Sequence, residues 1–181
     1  MSGGRVIHNL ALVGFMGTGK SSVGQLAAAQ LRFRFVDTDE LIEARAGKTV
    51  SAIFAQQGEA RFREYERTVV DELKGSDHTV IATGGGLIVS AENLESLKSH
   101  ALVVCLWASP EAIWERVRHQ THRPLLQNPK PLARMRELLT EREPFYRRAD
   151  VLVNTDLRSI KEVAHHVIHQ FRLASHRSSQ R

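Results

Sequence analysis

One stretch decides the fold of this chain, Gly14-Phe15-Met16-Gly17-Thr18-Gly19-Lys20-Ser21. An apolar run over 10–13 precedes it and a periodic segment over 23–31 follows it, which predicts a strand before the stretch and a helix after it. Its glycines allow a tight turn that points successive backbone N–H groups at one spot, where the helix dipole also favours an anion. A Gly, four free positions and then Gly-Lys-Ser in this context indicate a phosphate-binding loop.

The loop supplies side chains as well as backbone N–H groups to a nucleoside triphosphate. Lys20 is placed to reach the β- and γ-phosphates, and the Ser21 hydroxyl is placed to ligate Mg²⁺. An ordinary Gly-rich turn is the weaker alternative, because the pattern has four defined positions and its flanks agree with it. The residues expected to contact the nucleotide are Gly17, Thr18, Gly19, Lys20, Ser21 and Ser22.

Length and composition favour one globular domain. The 181 residues include 42% hydrophobic side chains, which is enough for a sizeable core. We expect this domain over residues 1–175 and a disordered tail, rich in Ser and Arg, over 176–181. The sequence has no run of about 18 apolar residues, and its first eight residues are too short and polar for a targeting peptide. A cytoplasmic protein that does not cross a membrane is therefore expected.

The basic charge points to small acidic ligands. The formal net charge is +5, which fits either a nucleic-acid surface or a site for acidic small molecules. The arginines are spread along the chain, without interleaved aromatic residues or a reader motif, so no nucleic-acid partner is expected. The single cysteine, Cys105, lies in the apolar run 101–106 and is expected to be a small buried hydrophobe.

Apolar runs of strand length alternate with longer helical patterns, which is typical of βαβ units and of an α/β protein with a parallel sheet. We predict strands near 9–13, 33–36, 78–82, 101–106 and 151–154, and helices near 20–31, 39–46, 50–56, 59–74, 90–98, 110–119, 131–147 and 158–171. Thr49 and Ser109 are predicted N-caps. Residues 119–130 contain Pro124 and Pro129 and have the length of a lid loop, which we place at about 118–130.

Two carboxylates follow the second predicted strand. Strand side chains alternate faces, so Asp37 and Asp39 are expected to project the same way while Thr38 points to the other face. Next to a phosphate loop, one carboxylate can support the metal and the other can accept or orient the proton of an attacking hydroxyl. The alternative is that one of them merely caps the helix starting near Glu40.

Further candidates lie later in the chain. Arg63 has two interpretations: a solvated pair with Glu59 four residues earlier, or a planar fork that grips a substrate carboxylate. The triplet Gly84-Gly85-Gly86 indicates close approach of a ligand or another backbone, with a flexible turn as the alternative. Arg123 in the predicted lid can act as an arginine finger in cis. Arg142 follows, late in the helix after the lid.

In their order and spacing these motifs resemble the shikimate kinases, which belong with the nucleoside monophosphate kinase-like P-loop proteins. The resemblance runs from Leu10 to about Asp156. It implies a three-layer αβα fold with a five-stranded parallel sheet and a lid. It also implies transfer of the ATP γ-phosphate to the 3-hydroxyl of shikimate, in the route to chorismate and the aromatic amino acids.

The resemblance also implies a role for each motif. Lys20 and the loop amides hold the phosphates, Ser21 ligates Mg²⁺ and Asp37 supports it. Asp39 binds the accepting hydroxyl, and Arg123 comes from the lid to the phosphates. The remaining shikimate contacts are Arg63, Arg142 and the backbone at Gly84, Gly85 and Gly86. Arg116 or Arg118 is expected against the adenine.

Two other functions stay open at this point. The same fold and loop would serve a kinase for gluconate or another small hydroxy acid. The chain could also be an ATP- or ligand-sensing module without turnover, although Lys20, Asp39 and Arg123 are all present. A monomer is expected for a one-domain kinase with its own lid arginine.

Overall fold

The computed structural model describes residues 5–120 and 128–179. In chain order the elements are β1 (Asn9–Val13), α1 (Lys20–Leu31), β2 (Arg34–Asp37), α2 (Thr38–Ala46), α3 (Val50–Leu73), β3 (Thr79–Ala82), a 3-10 turn (Leu87–Val89), α4 (Ala91–His100), β4 (Ala101–Trp107), α5 (Pro110–Val117), α6 (Pro131–Tyr146), β5 (Val151–Asn154) and α7 (Ile160–Ser179). The strand ends differ from the predicted ones by at most one residue.

The five strands form one parallel sheet in the order β2-β3-β1-β4-β5. β1 lies in the middle, so the phosphate-loop stretch leaves the sheet at its centre. All residues of β1 and β3 are buried, as are all of β4 except Trp107. Such continuous apolar strands are typical of a parallel sheet covered on both faces. The predicted α/β class and five-stranded sheet are confirmed.

Helices cover both faces of the sheet and make three layers. One face packs against α1 and α7 through Val23, Ala27, Val167 and Phe171. The other packs against α3 to α6, which contribute Phe62, Leu97, Ile113, Met135 and Tyr146. Cys105 is buried within the sheet, and burial raises the pKa of its thiol to about 12, so it is a core residue as predicted.

Side-chain caps mark where helices begin, at Ser90 before α4 and at three further positions. Thr49 and Ser109 accept from the N–H groups of Ala52 and Ala112, both at 3.2 Å, which confirms the two predicted N-caps. The third cap corrects the sequence interpretation. β2 ends at Asp37 and α2 begins at Thr38, so the strand does not continue through Asp39 and the predicted alternation of side chains was wrong there. The chain becomes helical at Thr38 because the Asp37 carboxylate caps α2.

Two helices differ from their predicted bounds by more than two residues. The helices predicted at 50–56 and 59–74 run together as α3, with a kink at Gly58, whose φ of 80° and ψ of 170° are non-helical. α7 continues to Ser179, beyond position 176 where a tail was predicted, because extending an existing helix requires no new nucleation. Where the folded domain ends stays a prediction.

None of the helices within 5–120 and 128–179 combines the length and the apolar character that crossing a membrane would require.

Candidate active site

A cavity of about 1080 Å³ opens at the carboxyl ends of the strands, around the phosphate loop. Ligands of parallel α/β proteins bind at this edge, where loops meet helix N-termini. The predicted site residues on its wall are Gly17, Thr18, Gly19, Lys20, Ser21, Ser22, Asp37, Asp39, Gly84 and Gly85. The sheet therefore gathers residues from the first 85 positions into one space.

The phosphate loop is braced from within. Lys20 Nζ and the buried Thr18 Oγ1 both donate to the Phe15 carbonyl, each at 2.8 Å. A Cβ at Gly14 would overlap the Leu106 carbonyl oxygen of β4, so only glycine lets the loop lie this close to the sheet. The bracing leaves the loop preorganised beside the N-terminus of α1, where an anion is favoured.

Ser21 and Asp37 form a pair of oxygen-bearing side chains beside the phosphate loop. Ser21 Oγ donates to Asp37 Oδ2 at 2.9 Å, while Asp37 Oδ1 accepts from the Asp39 N–H at 3.0 Å. Asp37 is therefore both the helix cap that we considered as an alternative and the partner of the loop serine. A hydroxyl and a carboxylate beside a phosphate loop fit Mg²⁺, which takes few protein oxygens when phosphates and water complete its shell. Among the described residues, no cluster of three or more His, Cys, Asp or Glu could hold a metal by itself.

The triple glycine makes room for charged groups. A Cβ at Gly84 would lie 2.6 Å from Asp39 Oδ1, and a Cβ at Gly86 would lie 2.8 Å from Arg63 Nη1. The Gly84 N–H donates to Thr38 Oγ1 at 3.0 Å, which ties the glycine loop to the start of α2. Side chains approach Gly84 and Gly86, and phosphate-loop backbone approaches Gly85, where a Cβ would lie 3.4 Å from the Met16 nitrogen, so the predicted approach of another backbone is found at the middle glycine.

Arg63 is held by a buried carboxylate. Its Nη1 donates to Glu66 Oε2 at 2.7 Å, and its Nη2 donates to Glu59 Oε1 at 2.8 Å. Glu66 is only 1% exposed, and its Oε1 has no hydrogen-bond partner among the described residues. Burial raises the pKa of the Glu66 carboxyl, the Arg63 guanidinium opposes that rise, and nearby Asp39 adds to it. The pair with Glu59 therefore exists, but Arg63 is more than a surface ion pair.

Arg142 and Tyr146 approach the same glycine loop from α6. Arg142 Nη1 donates to the Gly85 carbonyl at 3.3 Å, and its guanidinium carbon lies 5.7 Å from the centre of the Phe15 ring. Tyr146 Oη donates to the Gly85 carbonyl at 2.7 Å. The two arginines predicted to bind a carboxylate therefore reach adjacent glycines, although Arg63, Gly86 and Arg142 do not line the large cavity.

The far end of the cavity distinguishes the two candidates for the adenine. Arg116 lines the cavity and donates to the Thr155 carbonyl at 2.7 Å and to the Gly17 carbonyl at 3.3 Å. Arg118 instead pairs with Glu115 at 3.2 Å and lies off the cavity wall. This geometry favours Arg116 over Arg118.

The structure brings most of the predicted residues together and adds two that sequence reasoning did not assign. Arg123 and most of the predicted lid lie outside the described residues. Glu66 and Tyr146 received no role in the sequence analysis. The three-residue spacing of Arg63 and Glu66 on one helix face could have drawn attention to Glu66. Its burial, which makes it significant, has no local signal.

Comparison with known proteins identifies the family. The shikimate kinase family model matches residues 16–172. The chain belongs to the shikimate kinase family. A curated shikimate kinase from Thermodesulfovibrio yellowstonii is 44% identical over 165 residues, which cover 91% of this chain and 95% of the relative. The structure of shikimate kinase from Acinetobacter baumannii in complex with shikimate superposes with a TM-score of 0.88 at 36% identity, covering 93% and 95% of the two chains.

The shikimate kinase fold is shared with other small-molecule kinases. A gluconokinase from Sinorhizobium meliloti superposes with a TM-score of 0.62 at 19% identity, covering 97% of this chain and 99% of that one. At that identity the likeness shows the fold alone. The sequence relatives, and not this structural likeness, assign the chain to the shikimate kinases rather than to the gluconate kinases considered earlier.

Proposed function

We propose that this chain is the kinase that transfers the γ-phosphoryl group of ATP to the 3-hydroxyl of shikimate, giving shikimate 3-phosphate and ADP. The reaction belongs to the route to chorismate and the aromatic amino acids. One observation carries the proposal beyond family membership. The glycine loop 84–86 contacts Asp39 at one end and Arg63 at the other, directly beside the phosphate loop. A small hydroxy acid needs a group that accepts a hydrogen bond from its hydroxyl and a cation for its carboxylate. Asp39 is suited to the first task and Arg63 to the second.

Asp39 and the arginines have different tasks in this proposal. Arg63 and Arg142 bind the carboxylate of shikimate and offset the repulsion between that anion and the nucleotide phosphates. Asp39 accepts a hydrogen bond from the 3-hydroxyl and takes its proton as the oxygen bonds to the γ-phosphorus and the bond to the ADP oxygen breaks. The buried Glu66 keeps the Arg63 fork in place through the 2.7 Å hydrogen bond.

The nucleotide side uses the loop and its neighbours. The loop N–H groups and Lys20 hold the phosphates, and Ser21 with Asp37 would hold Mg²⁺. A Mg²⁺ ion held there would supply positive charge beside the nucleotide phosphates. Arg116 is proposed against the adenine, and Arg123, outside the described residues, is proposed to approach the transferring phosphoryl group.

The test measures ADP release with ATP and Mg²⁺ in parallel reactions that contain shikimate, gluconate, nucleoside monophosphates or no acceptor. We expect rapid release with shikimate alone. Slow release without an acceptor is also expected, because a kinase must exclude water as the competing nucleophile. Rapid release with gluconate instead would overturn the acceptor assignment. Tight ATP binding without release in any reaction would favour the sensing module.

The proposal also covers the domain organisation, the oligomeric state, the cellular location and the partners of the chain. We propose one domain over residues 1–175, a monomer, and action in the cytoplasm without a nucleic-acid partner. A monomer suffices because every residue with a proposed role comes from a single chain. Size-exclusion chromatography with light scattering, at the concentration used for the kinase assay, measures the oligomeric state directly.

A further inference from the structure

The peptide between Gly85 and Gly86 lies in the middle of a tight turn. The Leu87 N–H donates to the Gly84 carbonyl at 3.2 Å, so residues 84–87 form a hydrogen-bonded β-turn with Gly85 and Gly86 at its centre. Gly86 has φ of −108° and ψ of −3°, which are the values expected for the third residue of a type I turn. The turn is therefore in its type I form.

A turn with glycine at this position can adopt a second form. In a type II turn the central peptide is rotated by about half a turn, and the third residue has positive φ, which glycine adopts without steric penalty. The chain between Gly84 and Leu87 therefore does not select one orientation of the Gly85–Gly86 peptide. Contacts from outside the turn have to select it.

Tyr146 supplies that contact. Its side chain is 1% exposed, and its hydroxyl donates to the Gly85 carbonyl at 2.7 Å, supported by Arg142 at 3.3 Å. Burial raises the pKa of the Tyr146 hydroxyl to about 12, against the effect of the Arg142 charge, so the hydroxyl keeps its proton and remains a donor at neutral pH. Tyr146 and Arg142 are four residues apart on α6, so they lie on the same face of that helix.

The orientation of the carbonyl sets the orientation of the next N–H. No cis peptide occurs in the described residues, and a trans peptide points its C=O and N–H in opposite directions. With the Gly85 carbonyl directed at Tyr146, the Gly86 N–H points away from α6, and no described residue accepts from it. Gly86 also adjoins the Arg63 guanidinium, so this N–H belongs to the region that binds the acceptor.

We propose that Tyr146 is a positioning residue for the acceptor substrate, since its hydroxyl holds the Gly85–Gly86 peptide in the type I orientation that presents the Gly86 N–H to an oxygen of shikimate. The inference rests on the proposed function. Donation to the Gly85 carbonyl also polarises that peptide, which strengthens its N–H as a donor. Tyr146 does not touch the reacting atoms in this proposal.

The experiment compares Tyr146→Phe with the wild-type chain and with Tyr65→Phe. The Tyr146 variant loses one hydroxyl and keeps the ring, so we expect KM for shikimate to rise about threefold to tenfold, the range that one hydrogen bond supplies. We expect kcat and KM for ATP to stay within about twofold. Tyr65 is the matched control, because it is a tyrosine of α3 whose ring faces the Arg61 guanidinium at 4.7 Å.

A second measurement does not depend on turnover. In a type I turn the amide protons of the two central residues are close, whereas in a type II turn the α-proton of the second residue is close to the amide proton of the third. Proton NMR contacts between Gly85 and Gly86 should therefore indicate type I in the wild-type chain and in Tyr65→Phe. We expect the type II contact to gain intensity in Tyr146→Phe.

The outcomes separate this inference from the proposed function. If the wild-type chain does not phosphorylate shikimate, the proposed function fails and the inference fails with it. If the wild-type chain is active, an unchanged KM for shikimate in Tyr146→Phe overturns the inference alone. Equal rises in KM for shikimate and ATP, or unchanged NMR contacts, would also overturn it. If Tyr146→Phe has a lower melting temperature but still raises KM for shikimate and not KM for ATP, the result supports the inference.

Discussion

At the scale of single residues, the site depends on a buried ion pair. Glu66 lies in the protein interior, where an ionised carboxylate needs a neighbouring cation. Arg63 is that cation and makes the ionised form of Glu66 tolerable there. In return, the 2.7 Å hydrogen bond limits the rotamers of the long side chain that we propose binds the acceptor. Binding and stability are therefore coupled at one arginine.

Removing Arg63 should affect both properties. We expect Arg63→Ala to raise KM for shikimate far more than KM for ATP, and to lower the free energy of unfolding by about 1–3 kcal/mol, since it leaves a buried carboxylate without its cation. Losing the cation raises the Glu66 pKa in the folded state further. A carboxyl with a raised folded pKa binds protons more readily when folded, so the loss of stability should shrink as pH falls. Steady-state kinetics and urea unfolding at pH 5 and pH 8 measure these effects.

Arg61→Ala is the matched control for that prediction. Arg61 lies on the same helix, two residues away, and pairs with the exposed Glu64. Exposed pairs contribute little, so we expect neither the kinetics nor the stability to change noticeably. Equal rises in the two KM values of Arg63→Ala would argue against its role in acceptor binding.

Asp39 is the second residue that can be tested alone. Asp39→Asn keeps the shape of the side chain and its place on the cavity wall but removes its capacity to take a proton. We expect kcat to fall about a hundredfold or more, because general-base catalysis contributes that much, while KM for shikimate changes little. Rapid-quench measurement of a single turnover reports the chemical step. Near-normal turnover would make Asp39 only a hydrogen-bonding partner of the hydroxyl.

At the scale of elements, the glycine loop after β3 determines how α2, α3 and α6 meet. Thr38 of α2 accepts from the Gly84 N–H, Arg63 of α3 lies against Gly86, and Tyr146 of α6 donates to the Gly85 carbonyl. A Cβ would come too close to Asp39 at Gly84 and to Arg63 at Gly86, so a residue without a side chain is a packing requirement at both ends of this loop. Each glycine serves a different neighbour.

That division predicts different effects for alanine at each end of the loop. None of the three glycines has positive φ, so the effect of a Cβ is steric. Gly84→Ala places it 2.6 Å from Asp39 Oδ1 and should mainly lower kcat, whereas Gly86→Ala places it 2.8 Å from Arg63 Nη1 and should mainly raise KM for shikimate. We expect changes of about tenfold or more, because small misplacements of catalytic groups have large effects on rate.

Gly75→Ala provides the control for the glycine series. A Cβ there would meet nothing closer than the Glu72 carbonyl at 3.7 Å, which is ordinary contact, so kinetics should not change. Identical kinetic defects in Gly84→Ala and Gly86→Ala would contradict the assignment of the two ends to different side chains. Steady-state kinetics with each substrate varied in turn distinguishes the two results.

At the scale of the whole molecule, the edge of the sheet opposite the active site carries its own buried polar group. The Thr79 N–H donates to Asn9 Oδ1 at 2.9 Å, which orients the amide so that Asn9 Nδ2 donates to the Ser76 carbonyl at 2.7 Å. The same nitrogen lies 2.9 Å from His100 Nδ1, so that ring nitrogen has to be an acceptor. His100 is therefore held in its neutral form.

This arrangement predicts a stability that depends on pH. Burial, with the positive charges of Arg5 and Lys74 and with His8 nearby, lowers the pKa of His100 in the folded chain. The unfolded chain then binds a proton more readily, so the free energy of unfolding should fall as pH decreases below about 6.5, the ordinary pKa of histidine. His100→Gln keeps an acceptor for Asn9 and removes the titration, and should flatten this dependence between pH 7 and pH 5.

Urea unfolding at several pH values measures that effect. His166→Gln is the control, because His166 is exposed on α7, and its pH dependence should match that of the wild-type chain. If His100→Gln and the wild-type chain lose stability in parallel as pH falls, another group is responsible. The effect belongs to the whole molecule because β1, β3 and α4 meet at this cluster.

Much of this protein follows from local sequence alone. The phosphate loop, the five strands and the caps at Thr49 and Ser109 were predictable, because each depends on residues within a few positions of one another. The resemblance to shikimate kinases was available for the same reason, since its motifs are short and ordered. The sequence also predicted an interruption near Gly58, and the structure shows that the two helical segments join there through a kink to form α3.

Only the tertiary structure decided how these parts combine. Asp37 caps α2 and accepts from Ser21 because β2 ends there and α2 begins at Thr38, and Glu66 matters because the fold buries it. The bond between Tyr146 and Gly85 joins positions 61 residues apart. Burial and long-range hydrogen bonds depend on where the sheet brings distant elements together, and no local pattern of residue types specifies that placement.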